Sequence, residues 1–127
     1  MPKLNTAAPT FVVSDVTATA QWYAERLGFK VYPFPKEPPY SFASIILDTV
    51  EIMLMRIEGY QKPDLTAQRP EGLWDAYIRM DGVKQFYEDI KGKVEIKTPL
   101  TKQRYGDSEF EIKDPNGYIL VFSELIE

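Results

Sequence analysis

The chain has no histidine and no cysteine, which closes imidazole and thiolate chemistry to it. What remains is a set of carboxylates, phenols and cations whose spacing is that of β-strands, where alternate side chains share a face. In VEIMLMR (50–56), Glu51, Met53 and Met55 fall on one face and Ile52 and Leu54 on the other. In WDAYIRM (74–80), Asp75, Tyr77 and Arg79 share a face opposite Ala76 and Ile78. In EFEIK (109–113), Glu109 and Glu111 alternate with Phe110 and Ile112. Such groups can do acid–base work, and Asp75, Glu51 or a tyrosine would carry it. They can equally build a binding surface. Met53 and Met55 are either core filler or a soft, adaptable contact; the opposite face of the same strand already holds Ile52 and Leu54. Arg79, in mid-strand, must reach solvent or a partner, so it points into an open cleft or pairs with Asp75 or Glu51. Glu109 and Glu111 form a solvated face or an anionic rim for a cationic guest. Other chemistry finds no motif: Ser14, Ser41, Ser44, Ser108 and Ser123 lack a GxSxG-like context, and the scattered glycines make no phosphate loop.

These strands must be set by a fold that 127 residues can build. That length suits a single domain burying about two thirds of its unfolded surface. No apolar run approaches the roughly 18 residues of a membrane span, and MPKLNTAAPTFVV lacks a basic segment followed by an apolar core, so no signal peptide is expected. The net charge of −4 argues against nucleic acid as a partner. The absence of cysteine fits a cytoplasmic protein.

Two stretches repeat each other. QWYAERLGFKV (21–31) and QFYEDIKGKVEI (85–96) both begin with Gln, an aromatic and Tyr, then place Gly five residues after the Tyr. Both read as helices. Val16, Ala20, Tyr23, Ala24 and Leu27 make one apolar stripe, with Asp15 as cap and Gly28 as stop; Val83, Phe86, Tyr87 and Ile90 make the other, with Asp81 as cap and Gly92 as stop. Strand-like runs flank each helix: PTFVV before the first, then FKVYP, SFASIILD and VEIMLMR; WDAYIRM before the second, then VEIKTP, EFEIK and YILVFSE. DPNG (114–117) signals a tight hairpin and LDTVE (47–51) a weaker one. PFPKEPPY (33–40), with four prolines, is expected to be an extended loop. The aperiodic 58–72 segment is the expected linker, of a length usually tied to function. The chain thus reads as two β-α-β-β-β modules, about 7–57 and 73–125, in one α+β domain whose curved mixed sheet encloses a concave cavity.

The duplicated module, the SDV helix start, WYxxxLGF and the closing DPxGYxLxF hairpin resemble the vicinal oxygen chelate superfamily of glyoxalases, extradiol dioxygenases and fosfomycin- and bleomycin-resistance proteins. The likeness covers roughly residues 7–125. It implies a divalent metal on the concave face, held by His, Glu or Gln from four strands. Counting from the motifs puts those slots at Ala8, Met53, Asp75 and Val121, with Glu124 one residue out of phase. One carboxylate among three apolar slots does not make a transition-metal site, so no metal and no cofactor is expected. The bleomycin-resistance members also show an aromatic-Gly element before the hairpin, matched here by Tyr105-Gly106.

The resulting expectation is a metal-free protein that sequesters a small, flat, neutral-to-cationic compound, using Tyr40, Glu51, Met53, Met55, Trp74, Asp75, Tyr77, Arg79 and Tyr105, with no catalytic residue assigned. Tyr40, Trp74 and Tyr105 could each instead be core or dimer contacts. The alternatives are a metal-independent enzyme working through Asp75, Glu51 or Tyr77, and an interaction protein with a filled cleft. The resemblance also implies a two-fold homodimer.

Overall fold

The first helix starts where Asp15 stops being extended. Its φ is −133° and its carboxylate accepts the Ala18 N–H at 2.9 Å, a cap of about 1 kcal/mol. The helix ends at Gly28, in the left-handed region at φ 85°, whose N–H returns to the Ala24 carbonyl. In a computed structural model, residues 1–104 and 106–125 are described. They form two compact units, Met1–Tyr60 and Gln61–Glu127, taken in turn.

The first unit runs β1 (Thr10–Val13), α1 (Val16–Leu27), β2 (Lys30–Phe34), β3 (Phe42–Leu47) and β4 (Val50–Arg56). The sheet order is β1-β4-β3-β2, with β1 parallel to β4 and the other pairs antiparallel. Ala43, Ile45, Ile52 and Leu54 are fully buried, as are Val16 and Tyr23 of α1. Burying each large aliphatic side chain contributes about 1.5–3 kcal/mol. Thr19 takes a buried place on the helix that the stripe gave to Ala24, which is half-buried. Asp48, at φ 55°, turns β3 into β4. Strand β2 takes two residues of the expected proline loop, pairing Pro33 with Ala43 and Phe34 with Phe42; it is an edge strand, where Pro33 is tolerated.

The second unit repeats the plan: β5 (Ala76–Arg79), α2 (Val83–Ile90), β6 (Glu95–Lys102), β7 (Asp107–Lys113) and β8 (Ile119–Leu125), in sheet order β5-β8-β7-β6. Again the first strand is parallel to the last. The helix packs through rings: Phe86 lies 5.0 Å from Phe122 and Tyr87 5.0 Å from Phe110, centroid to centroid. Its ends differ from expectation. The N-cap is Gly82, not Asp81, and the cap bonds come from Glu124, whose Oε1 accepts the N–H groups of Gly82 and Val83 at 3.0 Å each. A carboxylate there also complements the helix dipole. The helix stops at Lys91 in right-handed geometry, one residue before Gly92. The hairpin of DPNG forms as expected: Gly117 has φ 91°, and Asp114 accepts the N–H groups of Asn116 and Tyr118. Strand β6 outruns VEIKTP as far as Lys102, with irregular register around Thr98.

Each unit therefore has the β-α-β-β-β order and strand arrangement of the other. Among the described residues no helix is long and apolar enough to cross a membrane.

Candidate functional site

In both units the helix covers one sheet face, and Glu51, Met53, Met55, Tyr77 and Arg79 lie on the other. In the second unit this face is a grid fixed by register. Tyr77 pairs with Val121, which pairs with Glu111; Arg79 pairs with Ser123, which pairs with Glu109; Asp107 lies beside Leu125. Cross-strand neighbours on one face come within about 5 Å, so the grid gathers three carboxylates, a phenol, a hydroxyl and a guanidinium.

They form one network. Tyr77 Oη lies 2.5 Å from Glu109 Oε2 and 3.1 Å from both Asp107 Oδ2 and Ser123 Oγ. A phenol has one proton to give, so Glu109 and Asp107 share the Tyr77 hydroxyl as alternative acceptors. Ser123 Oγ donates to Asp107 Oδ2 at 2.9 Å. Arg79 pairs with the same oxygen, its own side chain 64% exposed and that of Asp107 only 3%. Burial pushes the Asp107 carboxyl up, but the hydrogen bonds from Ser123 and Tyr77 and the Arg79 charge together outweigh it and hold the group below the ordinary 3.8. One row along, Glu111 Oε1 accepts from Lys97 Nζ and Thr98 Oγ1, each at 3.0 Å. Glu109 and Glu111 are thus neither a solvated face nor a rim; both are buried and bonded. Arg79 finds Asp107, rather than the expected Asp75 or Glu51.

Two aromatic contacts complete this face. Trp74 and Tyr77 meet at 5.2 Å between centroids with planes 58° apart, and the Arg79 guanidinium sits 5.1 Å over the Tyr77 ring. Trp74 is 45% exposed. Its other neighbours line a cavity of about 180 Å³, walled by Leu65, Leu73, Asp75 and Ile119 and edged by Lys62, Asp64 and Lys113. The expected linker supplies residues 62–66 of its lining. Lys97 Nζ also donates to the Pro70 carbonyl at 3.2 Å, tying the segment to the sheet.

Asp75 lies just before β5. Its Oδ2 accepts the Ile119 N–H at 2.8 Å and faces Lys62 Nζ at 3.5 Å. Of the four slots implied by the resemblance, then, one holds a carboxylate already engaged and three hold Ala8, Met53 and Val121. This donor set does not fit a transition metal, and among the described residues no three His, Cys, Asp or Glu side chains are grouped to bind one.

In the first unit, Glu51, Met53 and Met55 share the face away from α1, as alternation required. Glu51 accepts from Ser44 Oγ at 2.5 Å. Met53 lies between Thr10 and Ser44, and Met55 between Val12 and Phe42. Met55, Tyr32 and Phe34 are exposed. Tyr40 is half-buried near the start of α1, its N–H donating to Thr17 Oγ1 at 2.8 Å. Tyr105 lies outside the described residues. Sequence reasoning missed Asp107 and Ser123, although both continue the same alternation from Glu109 and Val121. It also missed Lys62, Leu65, Leu73 and Lys113; the first two belong to the 58–72 segment, which has no periodicity to read.

Solved structures share this architecture. A glyoxalase-related enzyme from Clostridium phytofermentans matches with a TM-score of 0.75 at 17% identity, covering 98% of each chain. TioX from Micromonospora sp. ML1 matches with a TM-score of 0.73 at 13% identity, over 97% of this chain and 98% of that one. The bleomycin-binding protein from bleomycin-producing Streptomyces verticillus, solved with copper(II)-bleomycin, matches with a TM-score of 0.70 at 21% identity, over 96% and 97%. At these identities the likeness shows a common fold, which does not carry function with it. A comparison with curated protein sequences finds no significant match. The family described as the Glyoxalase/Bleomycin resistance protein/Dioxygenase superfamily matches residues 3–122, and the chain belongs to it.

Proposed function

We propose that the protein binds and sequesters a small, flat, neutral-to-cationic compound without a metal, on the Trp74–Tyr77–Arg79 surface of its second unit. The observation that carries this is the half-exposed Trp74 ring held against Tyr77. A large ring already fixed by a neighbour loses little freedom when a ligand stacks on it. The sheet network beneath supports the same reading: Tyr77 is anchored through its hydroxyl and Arg79 through Asp107, so the surface is preorganised. The net charge of −4 adds a salt-screened pull on cations, opposed locally by Arg79. The complex of the Streptomyces verticillus relative with copper(II)-bleomycin makes small-molecule binding a known use of this fold. Met53 and Met55 give the first unit a soft apolar surface of its own, proposed as a separate ligand contact.

Titration with a panel of planar aromatic cations, neutral compounds and anions tests the proposal. Tyr77→Ala should weaken the best ligand by about 1–3 kcal/mol, the worth of one aromatic stack. A panel won by small anions, or affinity untouched by Tyr77→Ala, defeats it. The proposal includes a cytoplasmic homodimer, for which light scattering should give roughly twice 14.6 kDa.

A second reading, metal-independent acid–base catalysis, draws on the 2.5 Å contact of Tyr77 Oη with Glu109, a pair able to relay a proton. Tyr77→Phe separates the two. It keeps the ring, so a binder retains its ligand, whereas an enzyme using the hydroxyl loses conversion.

A further inference from the structure

Residues 61–73 lie against the sheet of the second unit without packing into it. None of them is buried, and Leu65, which lines the cavity beside Trp74, is 47% exposed. Their hydrogen bonds are mostly their own. Gln68 and Arg69 donate to the Leu65 carbonyl, Thr66 to the Asp64 carboxylate, and Arg69 Nε to the Glu71 carbonyl. The polar ties to the sheet are two lysines. Lys62 Nζ stands 3.5 Å from Asp75 Oδ2 and lies over the Tyr118 ring, and Lys97 Nζ donates to the Pro70 carbonyl at 3.2 Å.

The two ends are not held alike. Lys97 belongs to β6 and is fixed there by the buried carboxylate of Glu111. Just past it Gly72 takes a left-handed φ of 76°, a position able to absorb a change of direction. At the other end Lys62 reaches only a half-buried carboxylate and a ring edge. A segment with no buried side chain opens at a cost well below that of global unfolding. The cavity behind it holds about 180 Å³, against about 300–1,000 Å³ for pockets that take drug-sized ligands. The flat compound proposed above therefore needs more room than residues 62–66 leave beside Trp74.

We infer that residues 61–73 are a lid, latched by Lys62 on Asp75 and anchored by Lys97 on the Pro70 carbonyl, whose opening lets a guest larger than the cavity reach the cavity side of Trp74. The nature of that guest rests on the stacking reading above; the motion does not.

The chain has no cysteine, so one introduced thiol reports the motion without any ligand, and a failed titration panel and a failed lid are told apart. Ile119 and Val121 share a face of β8 and are both buried, but Val121 does not line the cavity and Ile119 does. Iodoacetamide should alkylate Ile119→Cys at least about tenfold faster than Val121→Cys, and at least about tenfold slower than the exposed Met55→Cys. Dilute urea should barely change the rate at Ile119→Cys, while that at Val121→Cys climbs with the slope of global unfolding. Fluorescein maleimide, several rings in size, should also label Ile119→Cys. Adding Lys62→Met, which keeps the side chain's length and removes its charge, should quicken Ile119→Cys alkylation at least about threefold, the worth of a partly exposed ion pair, and leave Val121→Cys unchanged. Losing a nearby ammonium makes a thiol less ionised and slower to react, so acceleration reads opening and not reactivity. Should Ile119→Cys fail to fold, Leu73→Cys, on the cavity wall outside every strand, takes its place in the same comparisons. Equal rates or a shared urea slope at the two buried sites overturns the inference. So does a reporter as reactive as Met55→Cys, exclusion of the large reagent, or a rate that Lys62→Met leaves unchanged.

Discussion

The two units share element order and strand order, yet their open sheet faces have diverged in kind. Matched by register, Met53 of β4 corresponds to Val121 of β8, Met55 to Ser123, Ser44 to Glu111 and Phe42 to Glu109. The first face mixes methionines with the Glu51–Ser44 pair and is partly wet, with Met55 49% exposed. The second is charged, and dry along β7 and β8, with Asp107, Glu109, Glu111 and Ser123 all below one tenth exposed. One backbone plan thus supports both a soft surface and a rigid polar grid. The backbone specifies which positions face away from the helix; the side chains there decide whether the face adapts or is locked. Buried polar groups are stable only when fully bonded, and the second face meets that demand through its cross-strand rows.

The sharpest break of this comparison places the same side chain at matched positions. Lysine at Met55 should cost no more than about 0.5 kcal/mol, because a half-exposed strand position lets the ammonium reach water. Lysine at Ser123, which has no exposed surface, should cost more than about 4 kcal/mol or prevent folding, since it displaces a donor to Asp107 and buries a bulky cation beside Arg79. Denaturant midpoints report both. Similar losses at the two sites would mean the faces are equally buried in solution.

A smaller contrast concerns matched roles. Glu111→Ala leaves Lys97 without its carboxylate in a setting where both side chains are less than one sixth exposed, and should cost about 3 kcal/mol. Glu51→Ala removes one hydrogen bond, to Ser44, and should cost about 1 kcal/mol. Equal values would place the second face's stability in its apolar packing rather than its grid.

How far this could be read from sequence divides along the same line. Alternation assigned the faces of β4, β5 and β7 because period 2 survives any shift of strand ends. It put Tyr77 and Arg79 on one face of β5, and Glu109 and Glu111 on one face of β7. It could not pair Arg79 with Asp107, because partners across strands depend on register, which a single strand does not encode. Asp107 sits at the same parity as Glu109 and Glu111 but beyond the quoted run. The cap of α2 was missed for a related reason: Asp81 stands next to the helix in sequence, while Glu124 arrives by the chain's return along β8. The 58–72 segment yields no pattern, since its place is fixed by single contacts such as Lys97 to the Pro70 carbonyl, and with it the cavity was illegible.

The smallest expected effect lies in acid. Asp107 is held ionised by Ser123, Tyr77 and Arg79, below the ordinary 3.8. A depressed carboxyl contributes stability that is fully present above its unfolded value and is lost as pH falls through its folded one. Asp107→Asn keeps the shape and removes the titration. The stability gap between the parent and this variant should stay constant from neutral pH to about pH 5, then narrow as pH drops below about 4. Measuring the difference matters, because 19 acidic residues titrate in the same range and most of their contribution cancels between two chains differing at one site. A gap that stays flat through pH 3, or widens, would show that Asp107 is not the ionised centre of the grid. The Arg79 charge would then be answered by Glu109 through the Tyr77 hydroxyl, and the rigid face would be organised around the phenol instead of the aspartate.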